Sequence, residues 1–185
     1  MNVFVITGHI PDGGRKASML LMAESLVRQG HRVDILTTGL SPFSKLVNDN
    51  RYRQAIALGA NTWRKVGTRL SSFIWVAPFH PFNLRNRWAN ALSTPLFKTY
   101  PLLLPAPARE KIRTAHLVVI ESGPGLLLVN LIRVLNPHAK LIYSVSDRLE
   151  TLLTHPLLLE AQRQATPLFN LIRLPAQAMQ TDFPP

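Results

Sequence analysis

The segment Leu117–Glu150, LVVIESGPGLLLVNLIRVLNPHAKLIYSVSDRLE, leaves a folding chain few options. Leu117–Ile120 and Leu141–Val145 are short runs rich in branched apolar residues, the signature of strands buried on both faces. Between them, Gly125–Leu135 spaces its apolar residues as a helix does. Asn136-Pro137 ends that helix, because proline disfavours helical backbone in the residue before it. A strand–helix–strand crossover makes its two strands parallel. Each strand ends in polar residues, Glu121-Ser122-Gly123 after the first and Ser144 with Ser146-Asp147 after the second. Open parallel sheets bind ligands outside the carboxyl ends of their strands. Glu121 and Asp147 are therefore the carboxylates placed to do chemistry.

The flanking sequence continues the same alternation. Val3–Thr7 reads as a buried strand, Ala17–Gln29 as an amphipathic helix ended by Gly30, and Arg32–Thr38 as the next strand. In the helix, Leu20, Leu21, Ala23, Leu26 and Val27 lie on or near one face. A weaker helix is expected near Tyr52–Leu58, with short strands at Asn61–Val66 and Ser72–Ala77. The prolines of Pro78–Asn83 exclude a regular interior element. Leu84–Tyr100 reads as a helix disturbed near Pro95, and Ala108–Thr114 as a short one. Helical pieces at Leu149–Leu153 and Leu157–Ala165 and a last strand within Leu168–Leu174 complete the pattern. The sum is one α/β domain, a Rossmann-like doubly wound and mostly parallel sheet over residues 1–175. Residues 176–185 read as an exit linker.

Charge narrows the partners. Twenty-one Lys and Arg stand against 10 Asp and Glu, a formal net charge of +11. That favours a polyanionic surface or substrate. Between Asp49 and Glu110 there is no acidic residue, and all three tryptophans of the chain fall in this interval. Arg64, Lys65, Trp75, Phe79, Arg85, Arg87 and Trp88 have the mixed basic and aromatic character of a membrane-facing surface. Such a set also suits stacking on nucleic acid, or a solvated basic face over an ordinary aromatic core. An anionic membrane is the expected partner ahead of nucleic acid.

Several chemistries are disfavoured. Without cysteine there is neither a disulfide framework nor thiol catalysis. None of the six histidines pairs at metal-ligand spacing, and no metal or other cofactor is expected. G-x-S-x-G, Walker and dinucleotide-binding patterns are missing. Gly13-Gly14-Arg15-Lys16, ahead of a helix, reads either as an anion-binding turn or as a solvated one. The opening MNVFVITGHIPDGG has no basic segment before an apolar one, so no signal peptide is expected. No apolar run approaches the ~20 residues that span a bilayer.

Two residues carry the sharpest alternatives. Asp147 reads as a general base or as the N-cap of a following helix. Glu121 reads as a cleft carboxylate that binds a hydroxyl, or as a cap for the helix after it. His9 follows the first strand's carboxyl end and, like His80, is placed to reach the same cleft.

The blocks His80-Pro81-Phe82-Asn83, Glu121-Ser122-Gly123, Val134–Tyr143 (VLNPHAKLIY) and Ser146-Asp147, in that order, resemble the GumK-type glucuronosyltransferases of xanthan-like polysaccharide synthesis. The resemblance covers nearly the whole chain but only the first half of a family member. It implies the acceptor-binding domain of a GT-B glycosyltransferase, which faces a UDP-sugar-binding domain across a cleft. It further implies metal-independent, inverting transfer to a lipid-linked oligosaccharide, with Asp147 as base. His9, His80, Asn83, Glu121, Ser122 and Arg148 are the expected acceptor-binding or cleft residues; Arg148 stands where the family has glycine. The implied location is cytoplasmic and peripheral at the anionic inner membrane. The C-terminal UDP-sugar-binding domain acts in cis or in trans, and without it this chain is expected to be inactive. The competing reading is a non-catalytic basic Rossmann-like module that binds membrane or nucleic acid.

Overall fold

Residues 1–11 and 17–183 are described by a computed structural model. Its strands are β1 (Asn2–Thr7), β2 (Arg32–Leu40), β3 (Trp63–Gly67), β4 (Leu70–Val76), β5 (Leu117–Glu121), β6 (Lys140–Ser144) and β7 (Leu171–Arg173). They form one sheet in the order β3-β4-β2-β1-β5-β6-β7. β3 lies antiparallel on β4 at one edge, and every other pairing is parallel. The chain first builds outward from β1 through β2 and β4. It then returns to the other side of β1 and builds through β5, β6 and β7. The point of reversal, between β1 and β5, opens a crevice at their carboxyl ends.

Strand parity explains the layers. Val3 and Val5 of β1 face one side, where they pack with Met19, Leu20 and Ala23 of α1 (Ser18–Arg28). Phe4 and Ile6 face the other side, in the main core with Trp75, Val118, Ile120, Leu141 and Tyr143. That core is covered by α5 (Ala106–Arg113), α6 (Val129–Leu135) and α7 (Pro156–Ala165). Leu21 of α1 is exposed, so the buried stripe is narrower than its apolar spacing suggests. The remaining helices are α2 (Phe43–Leu46), α3 (Asn50–Ala57) and α4 (Arg87–Lys98, with Pro95 inside it).

The β5–β6 crossover is parallel, with Glu121 opposite Ser144 at the strand ends. Its helix differs from the expected one. Pro124–Leu128 is a 3-10 turn, and the α-helix begins only at Val129. Gly125 accounts for the tight start: a Cβ there would lie 2.6 Å from Cγ2 of Ile6. The helix end is fixed by Asn136, whose buried side-chain amide donates to the carbonyls of Ile112 (2.9 Å), Arg113 (3.1 Å) and Ala115 (2.8 Å). One amide thereby joins the ends of α5 and α6 to the start of β5.

Two expected elements differ further along. Residues 149–153 form hydrogen-bonded turns instead of a helical piece. Thr151 and Thr154 explain it, because their hydroxyls donate to the carbonyls of Arg148 (2.8 Å) and Leu149 (3.2 Å) and compete with helical bonding. The expected exit linker begins instead as a 3-10 turn, Gln177–Asp182, with Met179 buried. Phe183 packs edge-on against Tyr143 at 5.9 Å.

Replacing Gly125 with alanine should lower stability by about 1–3 kcal/mol, because the added methyl must displace a buried β-branched side chain. Urea unfolding of the Gly125→Ala variant measures this, and an unchanged midpoint would refute the close approach.

Candidate functional site

A cleft of about 560 Å³ opens at the switch point, lined by residues that follow β1, β5 and β6. β1 delivers Gly8 and His9, β5 delivers Glu121 and Ser122, and the segment after β6 delivers Ser146 and Asp147. Arg51 and Gln54 of α3 close the far wall.

Glu121 is buried to 4% exposure and organises the β1 side. Its Oε2 accepts from the Thr7 hydroxyl and from the Gly8 N–H (3.4 Å), and its Oε1 lies 3.6 Å from His9 Nε2. It caps no helix: Gly123 holds the cap position of the following turn, which has no side-chain cap bond. Glu121 therefore shapes the cleft and holds Gly8 and His9 at the end of β1.

Ser122 joins the β5 and β6 ends. Its Oγ accepts from the Ser146 N–H (3.2 Å), lies 3.1 Å from the Tyr143 hydroxyl and donates to the Asp147 carbonyl (3.4 Å). The Tyr143 hydroxyl in turn donates to Gln162 Oε1 at 3.0 Å. Burial pushes the Tyr143 phenol up to about 12, so it stays protonated as a donor. Tyr143 and Gln162 were not among the expected residues. Burial of the alternate strand position Tyr143 was the available signal.

Asp147 is exposed in the cleft, in a bend that starts no helix, so the N-cap reading falls away. Among the described residues, no hydrogen bond or ion pair engages its carboxylate. Arg148 does not hold it. The Arg148 guanidinium turns to the C-terminal 3-10 turn, pairing with Asp182 (2.7 Å) and donating to the Ala178 carbonyl (3.2 Å). Arg148 is thus not a cleft residue.

His80 and Asn83 line a neighbouring depression of about 550 Å³, with Phe43, Val47, Phe82, Leu84 and Leu153 on its apolar walls and Arg85 at its rim. Arg51 borders both spaces. Its guanidinium grips Asp49 (2.6 Å) and donates to the Gly8 carbonyl (3.1 Å). Burial raises the Asp49 carboxyl, but the hydrogen bonds from Arg51 outweigh it and the net direction is down. His80 Nδ1 lies 2.8 Å from Ser41 Oγ. Burial first, and Arg51 second, hold the His80 imidazole down at about 4, against a smaller upward pull from Asp49. Arg51 sits in the acid-free basic interval, and only its place on α3 reveals its role.

The expected membrane-facing set divides. Trp75 is buried to 1% exposure and stacks on Tyr100 with ring centroids 4.4 Å apart, so it faces no membrane. Its strand parity, shared with Phe73, points it into the core. Phe79 is half-buried and packs on Phe97 at 6.2 Å. Lys65 lines a depression with Met1, Arg32 and Arg69 at the amino ends of the strands, away from the cleft. Arg64 precedes it on edge strand β3 and is no part of α4. Trp88 is 67% exposed, with the Arg87 guanidinium 4.7 Å from its ring, and Arg85 is exposed nearby. Leu92 (83% exposed) and Leu96 (50%) continue its line along α4. Those two were missed, although their i, i+4 spacing from Trp88 was visible. The reading of Gly13–Lys16 lies outside the described residues. Among the described residues, no helix is long and apolar enough to cross a membrane.

A doubly wound parallel sheet with a polar cleft at its switch point defines a Rossmann-like ligand-binding domain. Residues 5–175 match the family described as the N-terminal domain of the glucuronosyltransferase GumK, and the chain belongs to that family. It is 29% identical over 107 residues to the UDP-glucuronate:glycolipid 2-beta-glucuronosyltransferase of Xanthomonas campestris pv. campestris. That alignment covers 58% of this chain and 27% of the relative, so the chain matches about a quarter of that protein's length.

The depressed His80 pKa makes stability pH-dependent. The folded state disfavours protonated His80, so its contribution is complete above about 6.5, the ordinary value, and is lost as pH falls toward about 4. Urea midpoints should fall between about pH 7.5 and about pH 5, and fall less in His80→Gln. Equal pH slopes in the two proteins would contradict the assignment.

Proposed function

We propose that this domain is the acceptor-binding half of an inverting, metal-independent glycosyltransferase. It would move a sugar, glucuronic acid in the favoured case, from a UDP-sugar to a lipid-linked oligosaccharide in exopolysaccharide synthesis. The observation that carries the reading is the exposed Asp147 carboxylate, in a cleft at the carboxyl ends of parallel strands, within a chain of this family. The UDP-sugar enters on a second domain, in cis or in trans. Asp147 takes the proton of the acceptor hydroxyl as its oxygen attacks the anomeric carbon, and UDP leaves from the opposite face. The C–O bond to UDP breaks as the new C–O bond forms, so configuration inverts. Ser122 and Ser146 hold the segment on which Asp147 sits.

The adjoining depression suits the lipid-bearing side of the acceptor. Its apolar walls take hydrocarbon, and Arg51 at the boundary with the polar cleft and Arg85 at the rim are placed for an anionic linkage. Trp88, Leu92 and Leu96 on α4, with Arg85 and Arg87 beside them, supply an interfacial face for the anionic inner membrane from the cytoplasmic side.

Two experiments test this reading. Asp147→Asn, assayed with the UDP-sugar-binding domain present, should lose about 10²–10⁴-fold in transfer rate while the domain stays folded. Near-normal transfer would refute the base. Vesicle co-sedimentation should favour anionic over neutral lipid. Trp88→Ala combined with Leu92→Ala should weaken it at least about tenfold, since each buried side chain of this size is worth ~1.5–3 kcal/mol. Tighter binding to RNA than to vesicles would support the non-catalytic module instead.

A further inference from the structure

α4 has two dissimilar faces. At ~100° per residue, Asn90, Ser93 and Phe97 fall on one side and Trp88, Leu92 and Leu96 on the other. The inner side is fastened to the chain just beyond Asp147. His155, fully buried, puts its Nε2 3.2 Å from the Asn90 carbonyl and 3.1 Å from Ser93 Oγ. Its Nδ1 accepts from the Leu157 N–H at 3.1 Å, which starts α7. Asn83 supplies a second fastening. Its Nδ2 donates to the Thr154 carbonyl (3.0 Å), and its Oδ1 accepts from Asn90 Nδ2 (3.0 Å) and from the Arg85 N–H (2.7 Å).

Both ends of the Asn83 amide therefore make bonds within the fold, which argues against Asn83 as an acceptor contact. The segment carrying Asp147 is held at its start by Ser122 and at its end by Asn83 and His155. Between those anchors it consists of turns with no helix or strand, pinned midway by buried Leu149 and by the Arg148–Asp182 pair, so that the stretch from Leu149 to Thr154 depends on the far anchor for its course. The carboxylate itself has no partner among the described residues, so its place is set by the backbone beneath it.

We propose that Asn83 is a positioning residue for sugar transfer: through the Thr154 carbonyl it fixes the loop that carries Asp147 to the inner face of α4. The inference rests on Asp147 being the base. Loosening this anchor lets the carboxylate wander from the acceptor oxygen, and displacement of a reacting group by about 1 Å can cost ~10²-fold in rate. Donor affinity is untouched, because the donor is held by the other domain.

Asn83→Asp isolates the anchor. The carboxylate keeps both acceptor contacts, to Arg85 and Asn90, and loses the donor to Thr154. Transfer is measured with the UDP-sugar-binding domain present, beside Asp147→Asn, and hydrogen exchange is followed over residues 146–155 and over α4. The expected result is a kcat reduced about tenfold or more with an unchanged KM for the UDP-sugar. Exchange should quicken in 146–155 and stay slow in α4. An unchanged kcat beside an inactive Asp147→Asn overturns the inference, as does a raised acceptor KM at normal kcat, which would make Asn83 a substrate contact. If Asp147→Asn remains active, the base assignment falls separately, and exchange alone judges the anchor: quickened exchange supports it and unaltered exchange refutes it. Should Asn83→Asp fail to fold, Asn83→Ser removes the donor to the Thr154 carbonyl while its hydroxyl can still accept from the Arg85 N–H, and the same readouts apply.

Discussion

The backbone at Gly125 lies so close to the side chain of Ile6 that no Cβ fits between them, and the turn that leaves the cleft depends on that close approach. It draws the turn after β5 down over β1, so the β5 exit cannot swing away from the switch point. The β1–β5 and β5–β6 registers carry Glu121 to Thr7 and Gly8 at the end of β1 and Ser122 to the β6 end, and the Gly125 contact closes the turn that follows. Three strand ends that are far apart in sequence are joined by two short side chains. A larger residue at 125 would open this seam before disturbing anything on the surface.

Much of the sheet was legible because fully buried parallel strands have an unambiguous composition. Leu117–Ile120 and Val3–Thr7 permitted little else, and the crossover between β5 and β6 made their pairing parallel. The misread pieces are places where local side-chain bonding competes with periodicity. Leu149–Leu153 has helical apolar content, yet Thr151 and Thr154 spend their hydroxyls on nearby carbonyls and hold the segment in turns. The start of the crossover helix is set by a contact with Ile6, 119 positions earlier in the chain, which no local window contains.

The site was legible in outline for the same reason. Strand ends collect ligand-binding residues, and Glu121, Ser122, Asp147 and His9 all line one cleft. Roles were harder to read than places. Arg148 neighbours Asp147 in sequence but pairs with Asp182, because the C-terminal turn packs beside it. Asn83 had the look of a ligand contact until both ends of its amide proved occupied. Trp75 and Trp88 share a composition and lie in the same basic interval, yet one is core and the other surface. Strand parity buries the first, and the second sits on the outer face of a helix.

The faces of α4 are partly inverted: Asn90 and Ser93 face the protein beside Phe97, while Trp88, Leu92 and Leu96 face out. Refolding the helix the other way is closed off, since Asn90 and Ser93 are engaged on the inner side. In dilute aqueous solution the opposing influence is long-range charge, a formal +11 that keeps copies apart. Salt screens that repulsion over a Debye length of about 10 Å at 0.1 M but leaves the attraction between apolar faces intact. The colloidal behaviour of this domain should therefore run against that of most proteins held apart only by hydration. Moderate salt, ordinarily a solubilising addition, should bring α4 faces together, and cooling, which weakens apolar association, should separate them again.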